Sequence, residues 1–288
     1  MKSFSIVGAG RLGTVLGAAL ARRGWKIEAI VDRDMRAARE SRRIIGRGRA
    51  LASLDAAARP GDVVIIAVPD DAVGRVAAGL ARSRVSWAGR PVFHTSGLLP
   101  ARVLEPLAKR GALVASLHPV QSFPRKEAPA SVFRGITWGV EGDPDGVKAA
   151  GEIVRGLRGR ILLIAEKDKP LYHAACSLAS NALVALEWTA SEVLRAAGIG
   201  EHAAAGMLHP LMQGTLQNVK NLGLDKALTG PVLRGDLATV RRHLEALRGD
   251  PGTGDVYLAL GKKILRLAGR SGLQAGRVRA LKRLLERG

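Results

Sequence analysis

Gly8-Ala9-Gly10-Arg11-Leu12-Gly13 is the stretch whose residue types and spacing speak most directly to chemistry. It lies between a short apolar run, Phe4 to Val7, and an amphipathic stretch, Leu12 to Arg23. Its first glycine allows a tight turn, its second lets backbone approach a pyrophosphate, and its third lets helix pack on strand. The start of the following helix offers N–H donors and a positive dipole end to phosphate. A glycine turn that holds nothing is the bland alternative. About 20 residues past the loop, where a dinucleotide fold needs an acid, the second strand ends in Asp32. Its carboxylate would accept hydrogen bonds from the adenine-ribose hydroxyls, which leans the reading toward NAD. Arg33 follows directly and can clasp a 2′-phosphate or stack on adenine, so NADP stays open. Arg36, Arg39 and Arg43 continue along one helical face, either toward that phosphate or as a solvated surface.

Four further segments carry candidate chemistry. In Val68-Pro69-Asp70-Asp71, Val68 and Pro69 would flank the nicotinamide half, while Asp70 could simply cap the next helix. In His94-Thr95-Ser96-Gly97, Thr95 and Ser96 could donate to a substrate carbonyl or carboxylate, or to nicotinamide. The alternative makes this a turn, with His94 hydrogen-bonded to backbone. His118, before Pro119, has the ordinary pKa of a proton donor to a forming alkoxide or amine, or is a structural hydrogen-bonder. Lys169, His173, Cys176 and Ser180 fall near one helical stripe, and Asn181 follows Ser177 by one turn. Lys169 or His173 would face a cleft between domains and stabilise negative charge on oxygen; otherwise the stripe is helix surface, and Cys176 a core filler. In the loop from Thr229 to Asp236, Arg234 could hold a substrate carboxylate, with Asp236 orienting it or capping the next helix. No metal site is expected.

The elements that must position these residues follow from the hydrophobic pattern. Strands are expected at Phe4–Val7, Lys26–Val31, Arg49–Leu51, Val63–Val68, Val92–Thr95, Leu113–Leu117, Ile136–Val140 and Ile161–Ile164. Helices fit Leu12–Arg23, Met35–Ile45, Asp71–Ala81 and Pro144–Leu157. This alternation predicts an α/β fold, a mostly parallel sheet with helices on both faces. After Glu166-Lys167-Asp168-Lys169-Pro170 no strand remains. One long helix is expected from Leu171 to Ala197, then helices at His202–Val219, Leu233–Leu247, Gly254–Leu267 and Gln274–Leu285. The domain division is therefore placed at 1–165 and 166–288, the second domain all helical.

Composition narrows the class. The chain has 288 residues, 47% hydrophobic but only 3% aromatic, so its core is aliphatic. Its longest apolar runs are strand-sized, far short of the roughly 20 residues of a membrane span. One cysteine excludes a disulfide scaffold. Met1-Lys2-Ser3 leads straight into a strand, so no cleavable signal is expected and the protein is read as cytoplasmic. The formal charge of +20 suits anionic partners. The arginines are dispersed without interleaved aromatics, which fits a small anion, including a dinucleotide, better than nucleic acid.

On these motifs the chain resembles a family of predicted oxidoreductases with a Rossmann-like N-terminal domain and a C-terminal helical domain of unknown function. The likeness covers essentially the whole chain. It rests on the glycine loop, Val68-Pro69-Asp70-Asp71, His94-Thr95-Ser96-Gly97, Leu117 to Pro124, Tyr172-His173-Ala174-Ala175, Ser180-Asn181 and the Thr229–Asp236 loop. More distantly it resembles ketopantoate reductase, pyrroline-5-carboxylate reductase and prephenate dehydrogenase. Lys169 matches the helix lysine of ketopantoate reductases, with His173 where their asparagine stands. His118-Pro119 matches a His-Pro of prephenate dehydrogenases, whereas Val120-Gln121-Ser122-Phe123 departs from their glycine-containing pattern. The resemblance implies an NAD(P)-dependent oxidoreductase acting on a C=O or C=N group of a small carboxylate-bearing metabolite. It also implies a helical domain that mediates a homodimer. A cyclic imine reductase and a dinucleotide-sensing, nucleic-acid-binding protein are the rival readings.

Overall fold

The computed structural model describes residues 2–53, 60–129 and 131–287. The chain forms two compact units, Met1–Ser180 and Asn181–Gly288. In the first, β1 (Ser3–Val7), α1 (Arg11–Arg22), β2 (Lys26–Val31), α2 (Met35–Ile45) and β3 (Arg49–Leu51) are followed by β4 (Val63–Ile66), α3 (Asp70–Ala81) and β5 (Pro91–His94). After them come α4 (Glu105–Ala108), β6 (Leu113–Pro119), β7 (Thr137–Gly142), α5 (Pro144–Gly156), β8 (Arg160–Leu163) and α6 (Lys169–Ala179). The strands form one eight-stranded sheet in the order β3-β2-β1-β4-β5-β6-β7-β8. Every neighbouring pair is parallel except β6 and β7. The first six strands thus follow the doubly wound order, which brings the ends of β1, β4, β5 and β6 to one edge.

Local chemistry sets several boundaries. Asp34 caps α2 by accepting from the Arg36 N–H, and Gly46 ends it at φ 84°. Asp143 caps α5 through the Gly146 N–H and also accepts from the Val114 N–H, which ties the helix start to β6. Such caps are worth about 1 kcal/mol each. Cores lie on both faces of the sheet. One is built from α1 and α5, with Phe4, Leu16, Leu20, Trp138 and Ile153 among its residues. The other is built from α3 and α4, around Val73, Leu80, Trp87 and Leu107.

The second unit is helical: α7 (Asn181–Ala196), α8 (Glu201–Leu222), α9 (Leu224–Ala227), α10 (Leu237–Ala246), α11 (Pro251–Arg270) and α12 (Ala275–Arg287). Its core gathers Val232, Val240, Leu265, Ala268, Leu281 and Leu285. None of these lies on α7 or α8. Among the described residues, no helix is long and apolar enough to cross a membrane.

The structure corrects the helix expected from Leu171 to Ala197. It is two helices, broken at Ser180, whose φ of −121° and ψ of −73° leave the helical region. The helix expected from Leu233 starts instead at Leu237, because Asp236 caps it there. The first compact unit also runs past residue 165. Lys169 and Tyr172 of α6 hydrogen-bond to Ser116 and His118 of β6, which ties this helix to the sheet.

Candidate active site

The glycine loop is shaped by backbone contacts. Gly8 adopts φ +108°, and a Cβ there would lie 2.3 Å from the Ala67 carbonyl oxygen and 2.9 Å from Val68 Cγ1. A Cβ at Gly13 would lie 2.1 Å from the Gly8 oxygen. Gly10, exposed at the N-cap of α1, has nothing within 4 Å of its Cβ position. The loop therefore closes tightly on β1 and β4 and leaves open space in front of Gly10. Beside that space, the first-turn amides of Arg11, Leu12 and Gly13 have no partner within the helix. Arg11 is exposed, and Leu12 packs on the core. A phosphate-bearing dinucleotide fits this cradle.

Beneath the loop lies a polar peg that sequence reasoning missed. Thr14 Oγ1 donates to the Gly10 oxygen at 2.7 Å and lies 2.7 Å from Ser41 Oγ, which in turn donates to the Ala9 oxygen. Both side chains are buried. A polar residue in the otherwise apolar run of α1 was the available signal. Asp32 braces the same loop. Its Oδ2 accepts from the Ala9 N–H at 2.8 Å, and its Oδ1 from the Asp34 N–H at 2.9 Å. Both oxygens thus already serve backbone, while Arg33 and Arg36 are exposed beside it.

Val68 and Pro69 lead from β4 into α3, with Pro69 at its N-cap and Asp70 in its first turn. Thr95 extends the ladder by donating its N–H to the Ile66 oxygen. Ser96 is buried, and its Oγ accepts from the Leu98 and Leu99 amides at 3.1 and 2.9 Å, pinning the turn after β5. His94 is fully buried between backbone groups: Nδ1 accepts from the Ser96 N–H and Nε2 faces the Pro100 oxygen. Burial holds its pKa down at about 4, helped by Lys169. It is the structural histidine of the alternative reading.

A polar cluster joins β6, β7 and α6. Lys169 does not open onto solvent as a helix-surface stripe would. It is 1% exposed, with Nζ donating to Ser116 Oγ at 2.7 Å and lying 4.0 Å from Glu141 Oε2. Burial lowers its pKa, opposed by Glu141 and Asp70. Ser116 Oγ passes the contact on by donating to the Ser96 oxygen at 3.1 Å. Glu141 accepts from the Ala101 N–H, and burial raises its pKa. His118 sits next to this group with Nδ1 2.7 Å from the Tyr172 hydroxyl, and its ring centroid is 6.1 Å from that of His173. Burial holds the His118 pKa down at about 4, with His173 and Lys169 adding repulsion. Burial pushes the Tyr172 phenol up. His118 is therefore neutral at pH 7, as a group able both to donate and to accept.

The remaining candidates belong to the second unit. Asn181 begins α7 and is exposed. Asp236 caps α10, accepting from Thr239 N–H and Oγ1 at 3.0 and 2.7 Å. Arg234 is exposed in the preceding turn. Among the described residues no group of three His, Cys, Asp or Glu is placed to hold a metal ion.

Residues 2–119 match the Rossmann-like domain family, and residues 136–264 match a domain of unknown function, DUF2520. Together the two matches leave only residues 120–135 and the two ends of the chain outside them. His118 lies in the Rossmann-like match, and Tyr172, His173 and Lys169 in the DUF2520 match, so the polar cluster joins the two. The DUF2520 match also takes in β7, α5 and β8, the last three elements of the sheet region. A crystal structure of a protein from Thermotoga maritima is 28% identical, with a TM-score of 0.73 over 93% of this chain and 98% of that one. A candidate NADP oxidoreductase from Bacteroides fragilis is 24% identical, with a TM-score of 0.74 over 91% of this chain and 97% of that one. A pyrroline-5-carboxylate reductase from Coxiella burnetii is 14% identical, with a TM-score of 0.59 over 94% of this chain and 97% of that one. A search of the curated proteins finds no match.

Proposed function

We propose that this chain is an NAD(P)-dependent oxidoreductase acting on a C=O or C=N group of a small carboxylate-bearing metabolite. One observation carries the reading: the Gly8–Gly13 cradle, open at Gly10, shares a sheet edge with His118 and His173, a half-buried pair able to exchange a proton. The bound nicotinamide dinucleotide would supply or accept the hydride. Gly10 and the amides of Arg11, Leu12 and Gly13 hold its pyrophosphate, and Val68, Pro69 and Thr95 border its nicotinamide end. The lean toward NAD is replaced by NADP. Asp32 is engaged by the Ala9 and Asp34 amides, whereas the exposed Arg33 and Arg36 suit a 2′-phosphate. The Bacteroides relative, which carries NADP in its name, agrees.

His118 is the proton donor, with His173 beside it. Lys169 acts from behind, holding Ser116 and through it the Ser96 turn, while its charge favours negative charge developing nearby. Because Lys169 is buried and does not reach a carbonyl directly, a cyclic imine is the second reading; it needs less polarisation than a ketone.

A homodimer through the helical domain is part of the proposal. Helix α7 buries no residue and α8 only Ala204. Val184, Trp188, Met207, Leu211, Leu216 and Leu222 are each more than half exposed. So much apolar side chain on two adjacent helices is unusual for a monomer and suits a second copy of the same hairpin.

The test is NADPH consumption with panels of 2-keto acids and cyclic imino acids. A substrate in either panel, whose turnover His118→Asn abolishes while NADPH binding persists, supports the proposal. Turnover unchanged in His118→Asn would remove the assigned proton donor.

A further inference from the structure

We propose that Tyr172 is the positioning residue of His118: its phenol donates to Nδ1 and thereby leaves the imidazole proton on Nε2, beside Gly97 and His173. The inference deepens the functional reading and rests on its assignment of His118 as the proton donor.

The argument begins with the strand register. β6 and β7 are antiparallel, and Gly139 lies directly across from His118. With no side chain at residue 139, the space opposite His118 is free, and the Tyr172 hydroxyl fills it. A Cβ on Gly139 would lie only 2.4 Å from that oxygen. From this seat the phenol reaches His118 Nδ1 at 2.7 Å, with the two rings edge to face at 90°. A second glycine shapes the opposite side. A Cβ on Gly97 would lie 2.9 Å from His118 Cε1, 3.0 Å from its Nε2 and 2.7 Å from His173 Cδ2. The imidazole is thus held between two positions that have no side chain, its Nδ1 turned to a phenol and its Nε2 toward Gly97.

The direction of the hydrogen bond follows from chemistry. A phenol is a stronger acid than a neutral imidazole N–H, and the unprotonated ring nitrogen is a better acceptor than a phenol oxygen. Tyr172 and His118 are both neutral near pH 7, the first with its pKa raised and the second with its pKa lowered, mainly by burial. The Gly139 backbone and the Cys176 side chain also hydrogen-bond the phenol, but a thiol sulfur is a weaker acceptor than an unprotonated imidazole nitrogen, so the favoured arrangement is O–H···Nδ1, which fixes the tautomer as Nε2–H. The charged or titratable groups acting on the ring are His173 and Lys169 of α6, which oppose its protonation, and His94 of β5, coupled to it by mutual repulsion, while Cys176 acts on the phenol. The neutral Nε2–H form is then the stable donor.

The test is nitrogen-15 NMR of the full-length protein labelled at histidine, with His118 assigned by loss of its signals in His118→Gln. The wild type is expected to show His118 as the Nε2–H tautomer at pH 7. In Tyr172→Phe that preference should fall roughly five- to tenfold, the effect of one lost hydrogen bond, and the ring pKa should rise. Gly139→Ala should repeat both changes with the tyrosine still present, because the new methyl occupies the phenol's seat. His173→Asn should leave the tautomer unchanged. A wild-type ring protonated on Nδ1, or an unchanged tautomer in Tyr172→Phe, overturns the proposal. Titrating the same samples with NADPH separates the two questions: failure to bind it would remove the oxidoreductase reading and leave the tautomer result standing.

Discussion

Replacing Lys169 by Met tests how the polar cluster is held together. The side chains of Lys169 and Glu141 are 2% and 11% exposed, and their charged atoms are 4.0 Å apart. Two unit charges at that separation attract by about 4 kcal/mol at an effective dielectric constant near 20. Removing both ions from water offsets a large part of this. The coupling left over should be about 1–3 kcal/mol. Lys169→Met leaves the Glu141 carboxylate with only the weaker pull of Arg102 and should cost about 3 kcal/mol at pH 7. Glu141→Gln keeps an acceptor for the Ala101 N–H and should cost about 2 kcal/mol, mainly through the stranded ammonium. The double variant should then cost about 1–3 kcal/mol less than the two singles together. Urea unfolding with linear extrapolation reads these differences.

A pH dependence sharpens this test. Burial raises the Glu141 pKa, so the folded state binds a proton there before the unfolded chain does. In Lys169→Met that pKa rises further, and the variant should regain stability relative to wild type as pH falls from neutral toward the ordinary carboxylate range. Additive single costs, or a Lys169→Met penalty that is constant with pH, would refute the idea that charge pairing holds this cluster.

Other expectations follow from the same geometry. Gly13→Ala places a methyl against the Gly8 carbonyl and should both destabilise the fold, by about 1–3 kcal/mol, and abolish NADPH binding. Gly10→Ala, with open space around it, should cost less than about 1 kcal/mol yet weaken NADPH binding at least tenfold, read by calorimetry. His94 and His118 are held at about 4 in the fold, below the ordinary value of 6.5. The unfolded chain therefore binds protons that the fold refuses. Stability should fall as pH drops from 6.5 toward 4 and stay flat just above, by up to about 1.4 kcal/mol per pH unit for each ring. Melting temperature against pH, with His118→Asn flattening the slope, checks this. Light scattering should give twice the 30.4 kDa chain mass, and Val184→Asp with Leu211→Asp should return it to the single-chain value.

The parts of this site that sequence reveals are those encoded by local spacing. Strand, glycine loop, helix and Asp32 are adjacent in the chain, so their arrangement follows from turn geometry and hydrophobic period alone. What Asp32 does with its oxygens is not local, since the Ala9 amide reaches it only once β1 and β2 are paired. The contact of Lys169 with Ser116 is not legible, because a stripe on one helix says nothing of the strand beneath it. Tyr172 gives no signal as a partner of His118 until the antiparallel register sets Gly139 opposite. The break at Ser180 is invisible for a different reason: neither Gly nor Pro marks it, and the apolar period runs on. Asp236 shows the opposite case, a cap whose alternative reading was already present in the sequence.

The most direct test of the account is a calorimetric titration of the purified protein with NADPH and, separately, NADH. Saturable binding of NADPH, clearly tighter than NADH and weakened by Arg33→Ala, is the predicted result. Binding of neither dinucleotide would contradict it, leaving the Gly8–Gly13 loop as a turn and nothing more.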